Sequence, residues 1–165
     1  MAYGIDLLVP DDGSSTAFAR CTTDAEYAVG ERRWTKDGKQ YMYVKFLDAV
    51  PYAAGQVVTR ANAAGTSVTN DISGGSSVGS IVEGVVVGVP TQNQYGWVQR
   101  TGYYATVKTS GADDIAVGEN LFVHGSTDGT CDGASASTWS SGNFGVAVVA
   151  DVDADNTVAA DLRLP

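Results

Sequence analysis

Four groups of residues have types and spacing that could do chemistry. Gly75-Ser-Ser77-Val-Gly79 fits the G-x-S-x-G pattern, in which a serine nucleophile sits on a strained turn between a strand and a helix. The residues that follow, Ile81-Val-Glu-Gly-Val-Val-Val87, are dense in branched side chains and read as strand. The helix that would seat Ser77 is therefore missing. Asp151-Val-Asp153-Ala-Asp155-Asn156 looks like the opening of a calcium loop, but that loop needs Gly at its sixth position and Glu at its twelfth. Asn156 and Leu162 stand there, so a polar hairpin turn is expected instead. His124 is the single histidine, which excludes a multi-histidine metal site. As a general base it would need a nucleophile and an orienting carboxylate brought to it in space. Tyr95, Trp97, Tyr103 and Tyr104 could form an aromatic platform for sugars or bases, or pack across strands at a hairpin or interface.

The elements that must position these groups are almost all strands. Tyr41–Leu47, Gly55–Arg60 and Ser80–Val87 are apolar and branched, the last nearly without interruption, as in a strand buried on both faces. Tyr95–Arg100 and Tyr103–Thr109 flank Thr101-Gly102, a spacing that predicts a hairpin or tight meander. Asn120–His124, Phe144–Val149 and Thr157–Arg163 complete the set, with long polar loops over 70–77 and 125–142 and one helical turn near 112–117. Short strands separated by glycine clusters predict a mostly β protein, a single antiparallel β domain with little helix.

Composition narrows the function classes. The 165 residues carry a net charge of −9 at a pI near 4.3, with 44% hydrophobic residues. That balance excludes a disordered polyelectrolyte, and the few, scattered Lys and Arg argue against nucleic acid as partner. No apolar run approaches the roughly 20 residues of a membrane helix. The start, Met1 to Asp6, lacks a basic region and its apolar stretch breaks at Pro10, unlike a signal peptide. Cys21 and Cys131 are expected as two reduced thiols, too far apart in sequence for a metal knuckle. No glycine-rich phosphate loop opens a helix, so no cofactor is expected.

Charge is also unevenly placed. Residues 20–45 hold six bases against four acids, while residues 109–165 hold nine acids against one base. The first forty residues have only brief apolar patches between polar turns and read as an extended N-terminal arm (1–40) ahead of the β domain (41–165). Tyr27 and Trp34 are large aromatics with no core of their own there, and such residues usually pack onto a neighbour.

From Tyr41 onward the order of motifs resembles the decoration, or cement, proteins of tailed-phage capsids. The likeness is carried by Ala54-Gly-Gln-Val-Val58, Gly84-Val-Val-Val-Gly88, Gly96-Trp-Val-Gln-Arg-Thr-Gly102, Val117-Gly-Glu-Asn-Leu121 and Phe144-Gly-Val-Ala-Val148. This resemblance implies a β-tulip or barrel-like domain. It also implies a non-enzymatic homotrimer, made in the host cytoplasm, that stabilises the shell from its outer surface by bridging capsomers. The partner would be the major capsid protein, with no nucleic acid, no membrane and a possible surface glycan. In such proteins the N-terminal arm orders against the capsid. Combined with the basic stretch, this makes Tyr27, Arg32, Arg33, Trp34, Lys36 and Lys39 the expected capsid contacts. The alternative is a carbohydrate- or receptor-binding module of head-fibre or adhesin type, using Tyr95, Trp97, Tyr103 and Tyr104.

Overall fold

A computed structural model describes residues 18–49, 51–71, 81–111, 114–125, 127–134, 142–151 and 156–164. These residues form ten strands and no helix: β1 (Arg32–Trp34), β2 (Gln40–Phe46), β3 (Val57–Arg60), β4 (Ser67–Thr69), β5 (Val82–Val86), β6 (Tyr95–Lys108), β7 (Asn120–Val123), β8 (Cys131–Ala134), β9 (Gly145–Ala147) and β10 (Thr157–Arg163). The expected β class holds. So does the barrel: the strands run β2-β4-β3-β5-β6, and β6 pairs back onto β2, closing a ring of five. Only the β2–β4 step is parallel.

Alternation along the ring strands explains the closure. Met42, Val44 and Phe46 of β2 point inward and meet Val58, Val68, Val86 and Val98. Tyr41 and Tyr43 point outward into a separate aromatic cluster. The sequence suggested more apolar strand surface over Tyr41–Leu47 and Val85–Val87 than one open sheet could cover. Closing the ring buries Val44, Phe46 and Val86 inside it, while Val85 is buried in the aliphatic cluster outside the ring.

Each barrel end is plugged by a polar network. At one end the Tyr52 hydroxyl donates to the Asp48 carboxylate at 2.5 Å and receives the Asp48 N–H at 3.1 Å. At the other, Glu83 is 2% exposed and holds two arginines. Arg100 donates to its Oε2 at 2.6 Å, and Arg60 donates from Nε to its Oε1 at 2.6 Å. A register shift between Val58 and Thr59 makes room for this. It leaves Glu83 and Gly84 together between Val82 and Val85, so a bulge re-aims Glu83. A buried carboxylate is tolerable only with such partners.

β6 is the long strand that joins the barrel to the rest. Its first half pairs with β2 and β5, and its second half with β10, from which β9, β7 and β8 continue the sheet. The hairpin predicted at Thr101-Gly102 is not formed. A two-residue hairpin turn of the commonest type needs positive φ at both positions, and only Gly102 has it, at +84°. The chain kinks there instead and continues. Gln99 Nε2 donates to the carbonyls of Thr101, Gly102 and Tyr103 at 3.0–3.2 Å, which fixes the kink.

Other differences are local. β1 and β4, three residues each, lie where no strand is expected, and β8 crosses part of the predicted 125–142 loop. Residues 112 and 113 of the helical turn expected near 112–117 lie outside the described residues, and Ile115 within it forms an antiparallel bridge with Asp151. β9 and β10 pair antiparallel as the turn reading requires, while residues 152–155 lie outside the described residues. Cys21 and Cys131 are both free thiols.

Candidate functional site

The stretch read as an extended arm divides in two. Residues 1–17 lie outside the described residues, and residues 18–40 pack on the barrel. Phe18 stacks on Tyr41 with ring centroids 4.0 Å apart and meets the Trp97 edge at 5.3 Å. Tyr27 packs against Tyr43 and Trp97, both at 5.2 Å. The physical reason is supply: β2 and β6 turn Tyr41, Tyr43, Tyr95 and Trp97 outward, and rings from the N-terminal side cover them. Sequence reading saw no core for residues 18–40 because their partners come from the barrel.

β1 then pairs antiparallel with β2, Arg33 opposite Tyr41, through a tight loop in which Gly38 adopts φ +82°. Strand alternation sorts the expected contact residues. Arg33 turns inward, its guanidinium 4.2 Å from the Tyr27 ring centroid and 5.4 Å from that of Trp97, with Glu31 accepting from its Nε at 2.9 Å. Arg32 and Trp34 turn outward, and Trp34 is 58% exposed. Lys36 is exposed in the loop. Lys39 pairs with Asp37 at 3.1 Å. The Thr35 hydroxyl also donates to Asp37, and with Lys39 it holds that carboxyl below its ordinary range. Of the six expected contacts, Tyr27 and Arg33 are thus partly buried against the ring cluster. Arg32, Trp34 and Lys36 present an aromatic side chain and two basic ones to solvent.

The four aromatic residues of the alternative reading do not converge. Trp97 is 5% exposed within the ring cluster and Tyr95 borders it. Tyr104 packs on the aliphatic core beyond the barrel, its hydroxyl donating to the Val86 carbonyl at 2.8 Å. Tyr103 alone is exposed, at 52%. Ser77 lies outside the described residues. His124 sits in a turn, where its Nδ1 accepts the Thr127 N–H at 3.0 Å. Among the described residues no group of three His, Cys, Asp or Glu could hold a metal ion, and no helix is long and apolar enough to cross a membrane.

Sequence reasoning missed the Glu83 triad and Phe18. The signal for the triad was present, since a lone Glu83 and a lone Arg100 each stand in an apolar strand, where a charge needs a buried partner. Burial presses the Arg100 guanidinium below its ordinary value while Glu83 opposes that shift.

No protein-family model and no curated protein matches this chain. Among solved structures, the N base of the head fibre gp8.5 in bacteriophage phi29 is similar. It is 18% identical, covering 74% of this chain and 94% of that one, with a TM-score of 0.48.

Proposed function

We propose that this chain is a non-enzymatic structural protein of a phage virion. In this reading it binds the outer surface of an icosahedral capsid as a homotrimer and stabilises the shell by bridging capsomers. The observation that carries the reading is Trp34, left 58% exposed on a folded hairpin beside Arg32 and Lys36. Trp97, the other described tryptophan, is buried, while Trp34 leaves its indole outside, a side chain of the kind that anchors interfaces. The rim arginine and lysine steer encounter with an acidic surface. The motif order from Tyr41 onward, with its likeness to capsid decoration proteins, supports the same reading.

Deleting residues 1–40 would strip the cover from Trp97 and Tyr43, so point variants are the proper test. Intact protein added to undecorated capsids should bind, and Trp34→Ala should lower occupancy at equal protein concentration. Full occupancy by Trp34→Ala would remove Trp34 as the anchor. Sedimentation of the purified protein at micromolar concentration should give about three times the 17.1 kDa chain mass. Receptor binding is the second reading, and Tyr103 is the aromatic residue it has available. A glycan array that lights up with the wild type and not with Tyr103→Ala would favour it.

A further inference from the structure

The two faces of β10 meet different surroundings. Val158, Ala160 and Leu162 point into the aliphatic core. Strand alternation turns Asp161 and Arg163 the other way. Register sets Tyr103 of β6 and Val146 of β9 beside Asp161 on that outer face. Val148, two residues beyond Val146, continues it, its N–H donating to the Ala159 carbonyl at 2.8 Å. Tyr103 is 52% exposed and Val148 39%. On the barrel, the outward rings of Tyr41, Tyr43 and Trp97 are covered by Phe18 and Tyr27 from the same chain. On the outer face of β6, β10 and β9, a tyrosine and a valine are left to solvent. An exposed patch of this kind marks an interaction surface.

Charge decides what covers it. A chain of net charge −9 repels its own copies, and residues 109–165 are the main source, with nine acids against one base. That base is Arg163, and it stands on this face, its Nε donating to Asp161 at 3.2 Å. Lys108, opposite Thr157 at the far end of the β6–β10 pairing, lies on the same side of the sheet. From Tyr103 onward, the described charges on this face of the three strands are therefore two bases and one acid. Within the acidic part of the molecule, this is where a second copy can approach without repulsion. Few charges around an aromatic and aliphatic centre also match the composition of a subunit interface. We propose that copies of this chain contact one another through the outer face of β6, β10 and β9. The inference rests on the homotrimer proposed above and deepens it by naming the face.

Sedimentation of the full chain at micromolar concentration tests the face, with circular dichroism to check that each variant is folded. The wild type should run at about three times the 17.1 kDa chain mass. Val148→Glu and Tyr103→Glu each place a like charge in every copy and should run as folded monomers. Arg163→Glu, whose side chain is 63% exposed, should raise the concentration at which trimers form by about tenfold or more. It keeps the test open if the first two variants fail to fold. Val89→Glu is the control, because Val89 is 65% exposed and its neighbour Gly88 lies against Ala19 and Cys21 in the N-terminal segment. That variant should stay trimeric. Face variants that remain trimeric overturn the face and leave the trimer standing, and so does a Val89→Glu variant that dissociates equally. A monomeric wild type overturns the trimer and the face with it. Glycan binding that needs Tyr103 in an otherwise intact trimer would give the face to a receptor instead.

Discussion

The closed barrel wears two covers, and they are built by different means. On the β2 and β6 face, residues 18–34 lay rings and one short strand over Tyr41, Tyr43 and Trp97. On the other side, β10, β9, β7 and β8 extend the sheet and enclose an aliphatic core with Val57, Val85, Val107, Leu121, Phe144 and Leu162. The second cover is tied in by six paired positions between β10 and β6. The first has three between β1 and β2, one bridge between Thr22 and Tyr95, backbone hydrogen bonds between Tyr43 and Gly30 and Glu31, and its ring contacts. A cover held by long strand pairing should unfold with the barrel. One held by short, scattered pairings and ring contacts can open before it.

The largest effect is expected where the comparison is most direct. Phe144 is 1% exposed in the aliphatic core, and its N–H donates to the Leu121 carbonyl. Phe144→Ala should cost about 3–5 kcal/mol through lost burial and the cavity left behind. Urea unfolding should stay a single transition with a lower midpoint and an unchanged slope. Two separated transitions would show that the aliphatic cover is an independent unit.

Phe18→Ala makes the matching cut in the aromatic cover. Phe18 is 5% exposed and touches Tyr41 and Trp97. Its loss should cost less, about 2–3 kcal/mol, because water can reach a vacated site at the edge of the fold. Hydrogen exchange should then speed up at Tyr43 and Glu31, whose backbones join β2 to the segment before β1. Exchange at Leu121 and Val146 should stay slow. Uniform acceleration throughout would erase the distinction between the covers.

The two covers also differed in how well the sequence announced them. Strands of the barrel and of the aliphatic cover were legible where aromatic and branched or long apolar residues crowd together, as in Tyr41-Met-Tyr-Val44 of β2 and Leu121-Phe-Val123 of β7. β1, β4 and β8 were not, since three or four residues such as Ser67-Val-Thr69 carry too little pattern to separate strand from loop. Thr101-Gly102 had the composition of a hairpin turn, yet pairing with β2 before it and with β10 after it carries the chain on through the kink as one strand. The packing of Phe18 and Tyr27 on the barrel was not legible for a related reason. Their spacing carries no period, and the rings that receive them lie dozens of residues away. The contact list drawn from residue type holds Trp34 and Arg32, which are exposed, together with Arg33 and Tyr27, which are partly buried against the ring cluster. Only the pairing of β1 with β2 tells them apart.

Alkaline titration sharpens the contrast at lower amplitude. Burial, with the charge of Asp37 next, raises the Tyr41 phenol to about 12, above its ordinary value near 10. Tyr104 in the aliphatic cover is raised as well, chiefly by burial. A tyrosine raised in the folded state is neutral in both states below pH about 10 and contributes its full stability there. Between pH about 10 and 12 the unfolded phenol loses its proton while the folded one keeps it, so stability falls as pH rises. Tyr41→Phe should flatten that fall more than Tyr104→Phe does, in urea midpoints measured from pH 9 to 12. The reverse order would place the more costly ionisation in the aliphatic cover.

The smallest effect on stability is expected at Trp34, and that smallness is the point of the measurement. Its side chain is 58% exposed and turns away from the ring cluster that its neighbour Arg33 enters. Surface substitutions outside caps, networks and strained positions usually change stability by no more than about 0.5 kcal/mol. Trp34→Ala should therefore leave the urea midpoint and the exchange rates of the aromatic cover where they are. Arg33→Ala should lower the midpoint, because it removes the cation held over Tyr27 and Trp97, worth about 0.5–2 kcal/mol. An interface anchor shows the opposite weighting, large in binding and negligible in folding. A Trp34→Ala chain that binds capsids poorly while unfolding like the wild type would assign the indole to recognition. A chain that loses stability on that substitution would make Trp34 one more ring of the cover.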